Sequence, residues 1–121
     1  MSAGLWCGVA AVGGGGALVR FLLDGAVGEG LGRRFPIGTL AINLSGAFLL
    51  GLLTGLRLAP DALLVAGTAT IGSYTTFSTW MLESQRLTED GDPRGAALNL
   101  LVSLVAGVAA AALGRALGVQ L

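Results

Sequence analysis

The chain has 121 residues, 54% of them hydrophobic and only 12% charged, with seven basic side chains balanced by seven acidic ones; its mean hydropathy is +0.81. That balance excludes a basic nucleic-acid surface and is too apolar for an ordinary soluble domain. A single cysteine, Cys7, and the lack of histidine exclude a disulfide framework, a cysteine-built metal site and the commonest general base.

The charges fall between apolar stretches. A window of about 19 residues places four candidate spans near 3–23, 37–58, 62–82 and 96–117. Four such spans and three short connections occupy the whole chain, so one all-α membrane domain over 1–121 is expected, with no soluble domain.

The first span lacks the basic leader of a signal peptide, since no Lys or Arg precedes Arg20, and it is read as a membrane helix. Gly4, Gly8 and the run Gly13-Gly14-Gly15-Gly16 suit close helix packing, or close backbone approach to a ligand. Arg20 closes the span, either as a charge snorkelling to the interface or as part of a pore mouth.

In the second span Thr39, Asn43, Ala47, Gly51 and Gly55 recur every four residues and form one stripe. Gly51 and Gly55 make a GxxxG pair, a helix-packing signal. Asn43 brings two amide donors to bilayer depth, where it serves as interhelical glue or lines a pore.

The third span holds the most informative run, Gly72-Ser73-Tyr74-Thr75-Thr76-Phe77-Ser78-Thr79-Trp80. So many hydroxyls and a glycine at depth predict a break in the helix over 72–76. Lipid offers no partner for freed N–H and C=O groups, so such a break belongs in protein or beside a wet or ion-filled cavity. Phe77 and Trp80 are three apart and share a helix side, as core packing or as aromatic edges, which are positive and can face an anion. Trp80 adds an indole N–H. Glu83 is read as an interfacial or helix-terminal charge.

The fourth span carries Asn99, Ser103, Gly107 and Ala111 on one face, with Leu100, Leu101, Leu104 and Val105 on the others. Ser103 either extends a polar ladder from Asn99 or bonds its own i−4 carbonyl. An even span count puts both termini on one side with Arg57 and Arg115, and Arg33, Arg34, Arg86 and Arg94 on the other, close to Arg20. So slight a bias is compatible with insertion in both orientations.

Gly38-Thr39-Leu40-Ala41-Ile42-Asn43 with Gly46, the block 72–83, and Asn99 with Ser103 together resemble the small bacterial fluoride channels called Fluc or CrcB. The resemblance runs nearly the full length and includes span count and loop size. It implies an antiparallel dimer of oppositely inserted subunits with two fluoride pores, in the bacterial plasma membrane. It also implies a structural sodium ion at the dimer centre, held by the backbone carbonyls of Gly72 and Thr75. Asn43 is then the pore amide, Phe77 and Trp80 the pore aromatics, and Ser103 part of a polar track. Thr79 and Asn99 lie beside that path, with Arg20 and Thr39 at its mouth. The chain departs from the family in four places: Trp80 stands where a Phe is usual, Asn99 where an aromatic hydroxyl is frequent, Gly107 where a serine is, and Gly72-Ser73 where a glycine pair is.

The residue chemistry suits that reading. Fluoride is strongly hydrated, and neutral amides, hydroxyls and ring edges replace water without trapping the ion as a buried arginine would. Carbonyls from two residues underfill a cation's shell, and a two-fold axis doubles them, which favours a dimer, of identical chains or of two related ones. Another reading is a four-span coupled exporter resembling the small multidrug-resistance proteins, but it needs an intramembrane carboxylate that the first span lacks before Asp24. A glycine-packed scaffold leaves the polar run without a purpose, and an enzyme lacks a His, Lys or buried acid to activate a hydroxyl. The expected function is therefore passive export of fluoride across the plasma membrane.

Overall fold

A computed structural model describes residues 2–31 and 36–121; Arg33 and Arg34, which enter the charge balance above, lie outside the described residues. The described residues are helical, with no strand among them. Helix α1 spans Ala3–Leu31, α2 Ile37–Gly55 and α3 Pro60–Leu63. A π-helical stretch, Leu64–Ile71, leads into α4, Gly72–Tyr74. Then come α5, Ser78–Glu89, and α6, Pro93–Gln120. Among the described residues three segments are long and apolar enough to cross a membrane: Ala3–Ala26, Ile37–Gly55 and Pro93–Gln120.

Local chemistry accounts for the ends. Arg57 takes a positive φ of 56° and its N–H bonds the Thr54 carbonyl, which stops α2 at Gly55 although apolar sequence runs to residue 58. Pro60 then opens α3 at its first turn. Helix α5 closes on Gly91 at φ 82°, with Asp92 N–H on the Leu87 carbonyl and Gly91 N–H on that of Thr88, the Schellman pattern that needs a glycine. Asp92 next caps α6, accepting from Gly95 N–H at 2.9 Å just before Pro93.

The tightest packing joins α2 to α6. A Cβ on Gly51 would strike the Ala111 carbonyl, and one on Gly55 would meet the Arg115 carbonyl at 2.5 Å. From the other side, a Cβ on Gly114 would strike the Phe48 carbonyl and one on Gly118 that of Leu52. The GxxxG pair of α2 thus lies against Ala111, Arg115 and Gly118 of α6, while Gly114 and Gly118 lie against Phe48 and Leu52 of α2, and the backbones touch. Helix α1 lies along the π-helical stretch and α4, and α5 lies against α6.

Among the described residues buried apolar side chains are few: Ile42, Ile71 and Ala96. Trp6, Leu18 and Phe21 on α1, and Leu101, Leu104, Val105 and Val108 on α6, point outward. In water such faces would aggregate; toward lipid or a second subunit they are ordinary.

Gly114→Ala should cost about 1–3 kcal/mol by overpacking, seen as a lower thermal midpoint in detergent. Gly107→Ala, whose Cβ would meet nothing within 4 Å, should leave the midpoint nearly unchanged.

Candidate functional site

The polar run loses its helix at Thr75, within the 72–76 expected but not from its start. Gly72–Tyr74 remain helical, and Thr75 N–H still reaches the Ile71 carbonyl at 2.9 Å. Thr75 then turns extended, with φ −79° and ψ 160°, and helix resumes at Ser78. The hydroxyls favour neither side of this step by themselves, because Ser73 and Thr75 bond carbonyls four residues back, Ala69 at 2.8 Å and Ile71 at 3.0 Å. The change of course is set by a residue from another helix.

That residue is Asn43. Its Nδ2 donates to the Thr76 carbonyl at 2.9 Å, and its Oδ1 accepts from Thr76 N–H at 2.8 Å. The carboxamide pairs with the N–H and C=O of one residue, as a neighbouring strand would. In an unbroken helix, Thr76 N–H would go to the Gly72 carbonyl. Asn43 takes that donor and releases the carbonyl from its helical partner. Gly46, one turn along α2, lets the Thr75 side chain come against the helix, where a Cβ would collide with the Thr75 methyl.

Thr76 also begins α5. Its hydroxyl accepts from Thr79 N–H at 3.2 Å and donates to the Thr79 hydroxyl at 3.1 Å, which satisfies an otherwise orphaned N–H of the first turn. Ser45 on α2 bonds the Tyr74 hydroxyl at 2.9 Å and braces the other flank.

Two cavities flank the interruption. One of about 180 Å³ is bordered by Arg20, Asp24, Thr39, Thr76 and Thr79. A more open one of about 420 Å³ is bordered by Asn43, Gly46, Thr68, Gly72 and Thr75. Arg20, Thr39 and Thr79 therefore share one site, while Asn43, Gly72 and Thr75 share the other. Among the described residues no cluster of His, Cys, Asp or Glu could hold a metal.

Phe77 and Trp80 meet edge to face, their centroids 5.7 Å apart and planes at 80°. Phe77 is exposed. The Trp80 indole N–H, which the sequence offers as a donor, is already given to the Asn99 backbone carbonyl at 3.1 Å. Asn99 is buried at 1% exposure and gives its own Nδ2 to Ser84 Oγ at 2.8 Å. Ser103 turns its hydroxyl toward Asn99 Oδ1 at 3.5 Å, not toward its i−4 carbonyl. Trp80, Asn99 and Ser103 thus join each other at the α5–α6 seam, apart from both cavities.

Sequence reasoning missed two partners. Glu83 accepts a 2.6 Å hydrogen bond from the buried Thr39 hydroxyl, and its other oxygen is buried without a partner among the described residues. Ser84 links Trp80 to Asn99. Neither pairing has a local signal, because the partners are 44 and 15 residues apart.

Apolar helices around an interrupted, polar-lined segment define a multi-pass helical membrane protein. Residues 7–115 match the family described as CrcB-like protein, Camphor Resistance (CrcB). The chain is 57% identical to a protein named fluoride-specific ion channel FluC 2 from Mycolicibacterium paratuberculosis, covering 93% of each. It is 53% identical to FluC 2 of Mycobacterium bovis, covering 95% of this chain and 91% of that one. To FluC 1 of Symbiobacterium thermophilum it is 43% identical, over 93% of this chain and 96% of that one. The chain belongs to the CrcB family, which is not a family of enzymes.

Asn43→Ala removes both bonds to Thr76. The backbone amides at 75–79 should then exchange with deuterium about 10- to 100-fold faster, at roughly 1 kcal/mol per lost bond, with α6 unaffected in the same spectra.

Proposed function

We propose that the chain is the subunit of a passive, fluoride-selective channel of the bacterial plasma membrane, through which cytoplasmic fluoride leaves. The observation that carries this reading is the interruption at residues 75–77, braced by Asn43, in a chain whose relatives are named fluoride-specific ion channels. In this reading residues 60–89 form a third, broken membrane segment and the chain spans the bilayer four times. The anion enters past Arg20 and Thr39. It then passes Thr79, Asn43, Phe77 and Trp80, with Asn99 and Ser103 behind the aromatics. Neutral donors and ring edges replace its water in steps and let it go again.

A subunit with so little buried core and so much exposed apolar surface is completed by a second subunit, which we place in inverted orientation. The Gly72 and Thr75 carbonyls of two subunits would then hold a structural sodium ion. Bound there, the cation supplies positive charge that offsets the cost of bringing an anion into low dielectric. Asn43 contributes by keeping Thr76 N–H away from the Gly72 carbonyl.

One observation favours a coupled exporter as a second reading: the Thr39–Glu83 pair, with a buried carboxylate oxygen left over.

Liposomes holding only this chain, loaded with fluoride and given a potassium ionophore at equal pH on both sides, should release fluoride rapidly and retain chloride. Release that requires a pH difference would favour the coupled exporter. Absence of release, restored by a co-expressed related chain, would assign a heterodimer. Asn43→Asp keeps an acceptor for Thr76 N–H but sets a negative charge against the Thr76 carbonyl and in the anion's path. It should lower release by at least about 100-fold, equivalent to ~2.7 kcal/mol, while eluting as wild type.

A further inference from the structure

A closed circuit of hydrogen bonds lies at the α5–α6 seam. Trp80 Nε1–H donates to the Asn99 backbone carbonyl at 3.1 Å, Asn99 Nδ2–H donates to Ser84 Oγ at 2.8 Å, and Ser84 Oγ–H donates to the Trp80 backbone carbonyl at 2.8 Å. Asn99 and Ser84 are buried, at 1% and 6% exposure. From these distances we infer that Asn99 and Ser84 are positioning residues, which lock the Trp80 indole to α6 and so set the geometry of the Phe77–Trp80 aromatic pair.

The direction of each bond follows from the groups themselves. An indole N–H only donates, and a helical carbonyl has a second lone pair for it beyond the helix ladder. A carboxamide nitrogen only donates, so Ser84 Oγ must accept from Asn99. A hydroxyl has one hydrogen, and it goes to the Trp80 carbonyl four residues back, the ordinary habit of serine in a helix. Every donor in the circuit has one acceptor, and none competes.

The circuit ties two parts of Trp80 to one residue of the neighbouring helix: the ring bonds the Asn99 backbone carbonyl directly, and the main chain reaches the Asn99 side chain through Ser84. A packing contact alone would leave the ring free to turn about its side-chain bonds; a hydrogen bond at its far edge does not. With the indole held, its plane stays at 80° to Phe77. The N–H is then unavailable to an anion, and Trp80 can offer only its C–H edge. Phenylalanine at 80 would leave this circuit open, since it has no N–H. The pore role rests on the channel reading above; the locking of the ring does not.

Tryptophan fluorescence and flux test the two parts separately. Trp6 and Trp80 are the two tryptophans, and Trp6 lies exposed at the far end of α1, so Trp6→Phe makes Trp80 the sole reporter. In that background Ser84→Ala breaks the two bonds that fasten the Trp80 main chain to the Asn99 side chain, so that the indole bond to the Asn99 carbonyl stands unsupported, without touching either cavity. We expect its Trp80 emission to shift to the red, with greater access to acrylamide. Fluoride release per assembled channel should fall about fivefold, equivalent to ~1 kcal/mol. Ser84→Thr keeps the hydroxyl and should restore both. Asn99→Leu opens the circuit from the α6 side and gives the same two readouts if Ser84→Ala does not assemble. Unchanged emission in the open-circuit variants overturns the lock. Shifted emission with unchanged release overturns its part in conduction. If the parent itself releases no fluoride, the channel reading falls and the pore role with it, while emission still decides whether the ring is held.

Discussion

The backbone N–H and C=O of Thr76 lie between two helices and belong to the hydrogen-bond ladder of neither. Asn43 supplies both missing partners with one flat carboxamide, at 2.9 and 2.8 Å. Much follows from that pairing. The chain can turn extended at Thr75, α5 can start afresh at Ser78 with the Thr76 hydroxyl bonded to its first turn, and the Gly72 carbonyl is released from its helical donor. The interruption is an alternative way of satisfying the backbone, and it needs α2 beside it.

The glycine contact between α2 and α6 decides where α2 stands. Backbone touching backbone at Gly51, Gly55, Gly114 and Gly118 leaves α2 little room to slide or rotate. Asn43 lies two turns before Gly51 on that helix, and Gly46 lies between them against Thr75. Close packing at one end of α2 thereby sets the height at which its amide meets the interrupted segment. The small number of buried apolar side chains is consistent with this economy: contact between backbones, not a large side-chain core, holds the helices together.

The polar groups divide by task. Thr76, Ser73 and Thr75 serve the backbone at the interruption, and Ser45 bonds the Tyr74 hydroxyl beside it. Asn99, Ser84 and Trp80 serve one another at the α5–α6 seam. Arg20, Thr39 and Thr79 border the smaller cavity, with Glu83 behind Thr39. A site for a strongly hydrated anion needs donors that are held still yet uncharged. Hydrogen bonds behind each surface group are the means of holding them.

Hydropathy and composition were enough to show a helical membrane chain and the polar run in which regular helix fails, because both are properties of a single segment. The motif spacing around Thr39, Asn43 and 72–83 was enough to show the family. The limits of the interruption were not legible: Ser73 and Tyr74 look as disruptive as Thr75 and Thr76, yet they stay helical because their backbone donors and acceptors remain within the segment. Nor was it legible that the Trp80 N–H is engaged, that Asn99 faces Ser84, or that Thr39 bonds Glu83. A sequence states how many donors and acceptors each residue carries and how its own helix turns. Which of them meet across helices is decided only when the glycine faces have brought the backbones together, since a hydrogen bond is made or lost within a few tenths of an ångström.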